Sequence, residues 1–126
     1  MKLITIITLL FLIIILSAVG SYFAIRSLAD NLNNTLIQLE KNVENEEWEK
    51  AKKTYQKVEK QWDRAKKIVT LFIDHSDLRH LNISLTRIYS LIEIKEKKEL
   101  LPEIKVVKDL VTDIPEEEKL SLNNIF

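Results

Sequence analysis

The chain has 126 residues, which sets the expectation of a single domain, and its 19 basic and 19 acidic residues cancel. A nucleic-acid binder draws most of its affinity from phosphate contacts and carries a basic excess, so this balance argues against one. The absence of cysteine excludes disulfides, thiolate metal sites, thiol nucleophiles and a lipidated cysteine.

One glycine, Gly20, and two prolines, Pro102 and Pro115, leave few chain breakers, which fits long helices and few tight turns. Charged residues make up 30% of the chain, yet mean hydropathy is close to zero. Both hold only if the apolar residues are concentrated, and they are, at the start. The run from Leu3 to Ile25 carries no charge. As a helix it is about 34 Å long, enough to cross a hydrocarbon core of about 30 Å. Lys2 precedes it, and Tyr22 and Arg26 close it in the manner of interfacial anchors. A buried helix of a soluble protein is a poor alternative, because the run has no polar face.

The same segment resembles a cleavable signal peptide, with small residues at Ala18 and Gly20 and a cut before Ser21. The apolar run continues past that point through Tyr22, Phe23 and Ile25, which favours an uncut signal anchor. Residues 1–26 are therefore read as a transmembrane signal anchor, with the lipid bilayer as partner through residues 3–25, and residues 27–126 as the extracytoplasmic domain. Lys2 on one side and Arg26 and Lys41 on the other nearly balance the positive-inside count. The signal-like shape places the start of the chain in the cytoplasm, giving a single-pass protein of the cell membrane.

Beyond Arg26, Leu28, Leu32, Leu36, Leu39 and Val43 recur at spacings of three and four, so the anchor helix is predicted to continue into the aqueous phase. Asn42 to Asn45 reads as a short turn, with Asn45 as the N-cap of the next helix and Glu46 and Glu47 in its first turn. The second helix then carries Trp48, Ala51, Tyr55, Val58, Trp62, Ala65, Val69 and Phe72 in alternating steps of three and four, a coiled-coil-like seam. Glu46 with Lys50, Glu49 with Lys53, and Asp63 with Lys67 stand in the favourable i,i+4 order on its other faces. Trp48, Tyr55 and Trp62 among lysines also fit a stacking platform for single-stranded nucleic acid, but strict heptad spacing with interleaved acids favours core packing.

Asp74 to Asp77 breaks the pattern, and Asp74 or Ser76 is suited to cap a third helix with apolar positions Leu78, Leu81, Leu85, Ile88 and Ile92. Lys95 to Glu99 holds the next turn. The fourth helix shows Leu100, Ile104, Val107, Val111 and Ile114; Pro102 places its start between Lys98 and Leu101, and Pro115 is expected to end it. The apolar residues of the closing stretch, Leu120, Leu122, Ile125 and Phe126, point to docking onto the bundle. Amphipathic helices joined by short connections pack antiparallel. The expected fold class is all-α: a transmembrane helix continuing into a three- or four-helix up-down antiparallel bundle.

The apolar start, the Trp48 and Trp62 pair, the block Leu71-Phe72-Ile73-Asp74-His75 with Asp77-Leu78, the stretch Ser84-Leu85-Thr86-Arg87, and the closing Leu120-Ser121-Leu122-Asn123-Asn124-Ile125-Phe126 resemble a bacterial family. It is catalogued as domain of unknown function 4363 and is found mainly in spore-forming Firmicutes. The resemblance implies a small, single-span membrane protein with a helical domain, and it implies no activity.

The polar positions that merit attention lie at the corner after the second helix: Asp74, His75, Asp77 and His80. Histidine and carboxylate side chains ligate divalent metals, and Asp77 and His80 share a helix face at i,i+3. With two histidines and no third strong ligand, capping and packing roles are the expectation, and no metal or cofactor is assigned. Arg87 lies one residue from the apolar stripe of the third helix, suited to pair with a carboxylate across the bundle or to reach solvent. Two matches to glycosylation acceptors, at Asn33 and Asn82, are treated as chance. Nothing resembles a nucleophile motif, and one glycine cannot make a phosphate-cradling loop. The expected function is a non-enzymatic interaction or scaffold module at the cell surface, binding a membrane protein or a second copy of itself, with no nucleic acid. The alternative is a sensor or small-ligand or ion-binding ectodomain with a cavity near His75 and Arg87.

Overall fold

The computed structural model describes the backbone of residues 1–71 and 74–125, and the side chains within that range as far as residue 115. The described residues form four helices: α1 (Lys2–Glu44), α2 (Trp48–Val69), α3 (His75–Glu93) and α4 (Lys97–Ile125). As the leucine spacing predicts, the apolar start and the first amphipathic stretch form one continuous helix. At 43 residues, α1 is about 65 Å long.

The order is up-down-up-down. Asn42 of α1 lies opposite Thr54 of α2, donating from Nδ2 to Oγ1 at 2.7 Å. Lys97 Nζ at the start of α4 donates to the Glu44 carbonyl at 2.8 Å, Lys108 pairs with Glu40 at 3.3 Å, and Asn33 donates to Thr112 Oγ1 at 2.9 Å. Rising numbers on α4 thus meet falling numbers on α1, so the two are antiparallel. Helix α1 packs beside α2 and α4, and α3 lies against α4 and, less closely, α2.

The core follows the predicted stripes. Leu32, Leu36, Leu39 and Val43 of α1 are buried, with Ile25 and Ala29 extending the stripe back toward the apolar run. Ala51, Tyr55, Val58, Trp62, Ala65 and Val69 of α2 are buried, and Trp48 packs half-buried at the edge. The packing reading of the aromatic seam therefore holds; Phe72, its last position, lies outside the described residues. Leu78, Leu81, Leu85, Ile88 and Ile92 of α3 and Leu100, Ile104, Val107, Val111 and Ile114 of α4 complete the core. Each such aliphatic side chain contributes roughly 1.5–3 kcal/mol on burial, which is what holds amphipathic helices of this kind together.

Both described connections end a helix in the same way. In the first, Glu46 N–H donates to the Val43 carbonyl at 3.0 Å and Glu47 N–H to the Asn42 carbonyl at 2.8 Å. In the second, Lys95 N–H donates to Ile92 at 3.1 Å and Glu96 N–H to Leu91 at 3.0 Å. These paired bonds define the Schellman motif, whose C′ residue adopts the left-handed region. Glu46 and Lys95 occupy it at φ of 57° and 56°, without the glycine that usually does.

This motif corrects three expectations. Asn42 is not in a turn: it is buried in α1, accepting from Gln38 and donating to Thr54. Asn45 is the C-cap of α1 rather than the N-cap of α2, a place taken by Glu47 without a side-chain cap bond. Lys50 pairs with Glu47 at 2.6 Å rather than with Glu46, because the left-handed φ takes Glu46 out of the helix. That hydrogen bond lowers the Glu47 carboxyl and raises the Lys50 ammonium from their ordinary pKa values. Among the described residues, Glu49 with Lys53 and Asp63 with Lys67 do not close to ion-pair distance.

Asp74 caps α3 as expected, its side chain accepting from Ser76 N–H at 3.5 Å. Helix α4 starts at Lys97, one residue before the predicted window, and Pro102 lies inside its early turns. Pro115 does not end it; α4 continues to Ile125. Proline has a helical φ, and its cost is the lost bond to the carbonyl four residues back plus a local steric clash. Here its ring is buried beside α1, lining a small cavity with Tyr22, Arg26 and Thr112. The docking expected of Leu120, Leu122, Ile125 and Phe126 lies outside the described side chains.

Candidate functional site

The corner cluster does not assemble. Asp74 is occupied as the α3 cap, and His75 and His80 are exposed. Asp77 turns inward, lining a cavity of about 60 Å³ between α2, α3 and α4 with Trp62, Leu78, Leu81, Leu110, Asp113 and Ile114. Among the described residues no group of three or more His, Asp or Glu side chains converges as metal ligands would. Asp77 and His80 share a face by spacing, but Asp77 is half-buried at the cavity whereas His80 is exposed and does not line it.

Arg87 takes the pairing role. Its guanidinium Nη1 approaches both carboxylate oxygens of Glu103 on α4, at 3.4 and 3.5 Å. The arginine side chain is 60% exposed. The pair therefore fastens α3 to α4 at the surface and does not line a closed pocket.

A wide opening lies where the sequence pattern flagged only core packing. The rings of Tyr55 and Trp62 lie at the loosely packed α2–α3 seam, and each bridges it with a hydrogen bond. Tyr55 O–H donates to the Leu85 carbonyl at 3.0 Å, and Trp62 Nε1–H donates to Asn82 Oδ1 at 2.8 Å. Outside these bridges runs an open groove of about 560 Å³, walled by Tyr55, Glu59, Trp62 and Asp63 of α2 and by Asn82, Leu85, Thr86 and Tyr89 of α3. The Tyr55 and Tyr89 rings meet at a centroid separation of 5.7 Å, and Tyr89 is half exposed.

Burial pushes the Tyr55 hydroxyl up to about 12, aided by the negative charge of Glu59, the neighbouring Tyr89 and then Asp63. Tyr55 is thus a neutral hydrogen-bond donor across the physiological range. The groove combines aromatic faces with carboxylates on one wall, a combination suited to cationic groups. Sequence reasoning missed it. Glu59 and Asp63, four residues apart, and Tyr89, an aromatic off the apolar stripe of α3, were the available signals, but nothing in their spacing says that α2 and α3 pack loosely enough to leave a groove.

The second conspicuous surface is the start of α1. Leu3, Ile4, Ile7, Phe11, Ile14 and Leu16 are each more than half exposed, and the most apolar window of the helix has no buried residue. Among the described residues one helix, α1, is long and apolar enough to cross a membrane or to act as a signal.

A family model described as Domain of unknown function (DUF4363) matches residues 19–125, from within the apolar run almost to the last residue. No curated protein and no solved structure matches the chain.

Proposed function

The chain belongs to the family described as Domain of unknown function (DUF4363), and from that premise we propose that it is a membrane-tethered, non-enzymatic interaction module. The observation that carries this reading is the two-part character of α1. Residues from Leu3 to Phe23 turn large apolar side chains outward on every face, whereas Ile25 to Val43 supply one wall of the bundle core. Each central Leu, Ile or Phe favours insertion by about 0.3–0.6 kcal/mol, so the run favours the bilayer strongly over water. Because no break interrupts α1, the anchor holds the bundle at a set height above the bilayer. The signal-like start favours an extracytoplasmic bundle.

The bundle offers a partner two ridges, α2 and α3, with a groove between them. The occupant is a membrane-protein partner or a second copy of the chain. Extraction in mild detergent followed by affinity capture should recover a stoichiometric partner or a homo-oligomer. A monodisperse monomer with no partner overturns the reading. Protease accessibility in intact cells tests the side of the membrane, with cleavage of the bundle expected from outside.

A second reading, a ligand-binding ectodomain, is supported by the aromatic and acidic walls of the same groove. It moves the ligand from the His75 and Arg87 region to Tyr55, Glu59, Asp63 and Tyr89. Thermal-shift measurements with small organic amines test it, and a shift abolished by Glu59→Gln with Asp63→Asn is the expected result. No shift with any amine removes it.

A further inference from the structure

We infer that the chain self-associates in the plane of the membrane, the basic back of α2 on one copy seating on the acidic, aromatic groove of the next. This rests on the membrane-tethered reading and names the occupant of the groove as a second copy.

Charge on this chain is neutral in sum and uneven in place. Helix α2 carries eight Lys and Arg against three Asp and Glu, a net of +5 in a chain whose net charge is zero. Lys53, Lys57, Lys60, Arg64 and Lys67 follow one another in alternating steps of four and three, so they share one helix face. All five are exposed, on the side of α2 away from Ala51, Val58 and Ala65 in the core. The stripe is about 21 Å long. Among the described residues none of the five reaches a carboxylate, whereas Lys50 and Lys52 beside the stripe pair with Glu47 and Glu93. Like charges one helical turn apart repel, so the stripe favours an anionic neighbour.

The groove supplies the opposite charge. Glu59 and Asp63 are exposed on its α2 wall, and neither closes an ion pair among the described residues. No described Lys or Arg lines the groove, and Tyr89 on its α3 wall is half exposed. Carboxylates beside aromatic faces take ammonium and guanidinium groups. One chain cannot make this contact with itself, because the consecutive residues Glu59 and Lys60 project about 100° apart around α2.

Tethering fixes the register between copies. Chains anchored through the same α1 stand in one orientation and at one height, so residues of equal number lie at equal height. Lys57, Lys60 and Arg64 of one copy therefore bracket the level of Glu59 and Asp63 on its neighbour. A contact through the same patch on both copies would set stripe against stripe or groove against groove, and like charges oppose both. Stripe against groove, repeated around the membrane normal, is the arrangement that pairs opposite charges.

Two variants reverse one surface each: Lys57→Glu with Lys60→Glu, and Glu59→Lys with Asp63→Lys. All four positions are exposed, and far-UV circular dichroism checks that the helices are kept. Full chains bearing two different affinity tags are co-expressed, extracted in mild detergent and captured through one tag. Wild type is expected to retain the second tag. Each variant alone is expected to lose it, because like charge then meets like. The two variants together should retain each other, since the stripe left intact in one meets the groove left intact in the other. Raising sodium chloride from about 0.1 M to 1 M shortens the screening length from about 10 Å to 3 Å, and wild-type capture should fall with it. Salt-independent capture, or a mixture of variants that stays apart while wild type associates, overturns the inference. Wild type that retains another protein stoichiometrically but no second copy also overturns it and leaves the tethered interaction module standing. Wild type that retains neither overturns both.

Discussion

Trp62 Nε1–H donates to Asn82 Oδ1 at 2.8 Å across the seam between α2 and α3, which pack less closely than α1 with α2 or α3 with α4. The indole is buried at 3% exposure, while Asn82 is half-buried on the groove side. One side chain thus serves as a core residue and as the wall of an open cleft. Removing the asparagine strands a buried N–H, which costs about 1–3 kcal/mol. We expect Asn82→Ala to lower stability by that amount and Trp62→Ala to cost about 3–5 kcal/mol. Urea titration of the full chain in detergent, followed by far-UV circular dichroism, measures both. A change below half a kilocalorie for Asn82→Ala would show that the bond contributes nothing net.

Tyr55 gives a pH dependence with a definite sign. Its pKa is raised from the ordinary 10.0 to about 12 in the folded protein, so the folded state binds the phenolic proton more tightly than the unfolded state does. The stabilisation is complete below pH 10 and is lost as pH rises through about 12. Tyr55→Phe removes the titration and also the bond to the Leu85 carbonyl. We expect the variant to be less stable at pH 8 by about 1 kcal/mol, with the deficit shrinking steadily above pH 10. Parallel melting curves from pH 8 to pH 11.5 would show it, and a constant deficit is the contrary outcome.

Lys95 should gain from replacement by glycine. Its φ of 56° costs a non-glycine residue roughly 1–2 kcal/mol, part of which glycine gives back through its greater freedom in the unfolded chain. The net expectation for Lys95→Gly is a gain of about 0.5–1 kcal/mol. Lys95→Val should lose stability, because a β-branched side chain fits the left-handed region worst. Chemical denaturation of both variants is the check, and equal stability of the two would contradict the assigned turn.

Arg87 and the histidines should prove tolerant. The Arg87–Glu103 pair is largely exposed on the arginine side, and such pairs contribute about 0–1 kcal/mol. Arg87→Ala is expected to fall in that range, and His75→Ala and His80→Ala to change stability by less than about 0.5 kcal/mol. Zinc or phosphate should leave the melting temperature unchanged. A zinc-dependent rise lost in both histidine variants would reinstate the corner as a metal site.

The sequence by itself determined which segments are helical and which face of each is buried. Leu32, Leu36, Val58, Ile88, Ile104 and Val107, all read from spacing, are all in the core, because helical periodicity and apolar burial are local consequences of side-chain order. It also determined the uninterrupted passage of α1 from the apolar run into the first amphipathic stretch, since no breaker other than Gly20 stands in the way. Tertiary structure alone decided what became of the polar residues. Asn42 left the predicted turn for the core because Thr54 and Gln38 satisfy its amide there. Pro115 failed to end α4 because its ring packs beside α1. The groove was illegible for the same reason. Tyr55 and Trp62 lie on one seam by spacing, but the groove wall they form also needs the Leu85 carbonyl and Asn82 across from them, groups distant in sequence that only the packed bundle brings together.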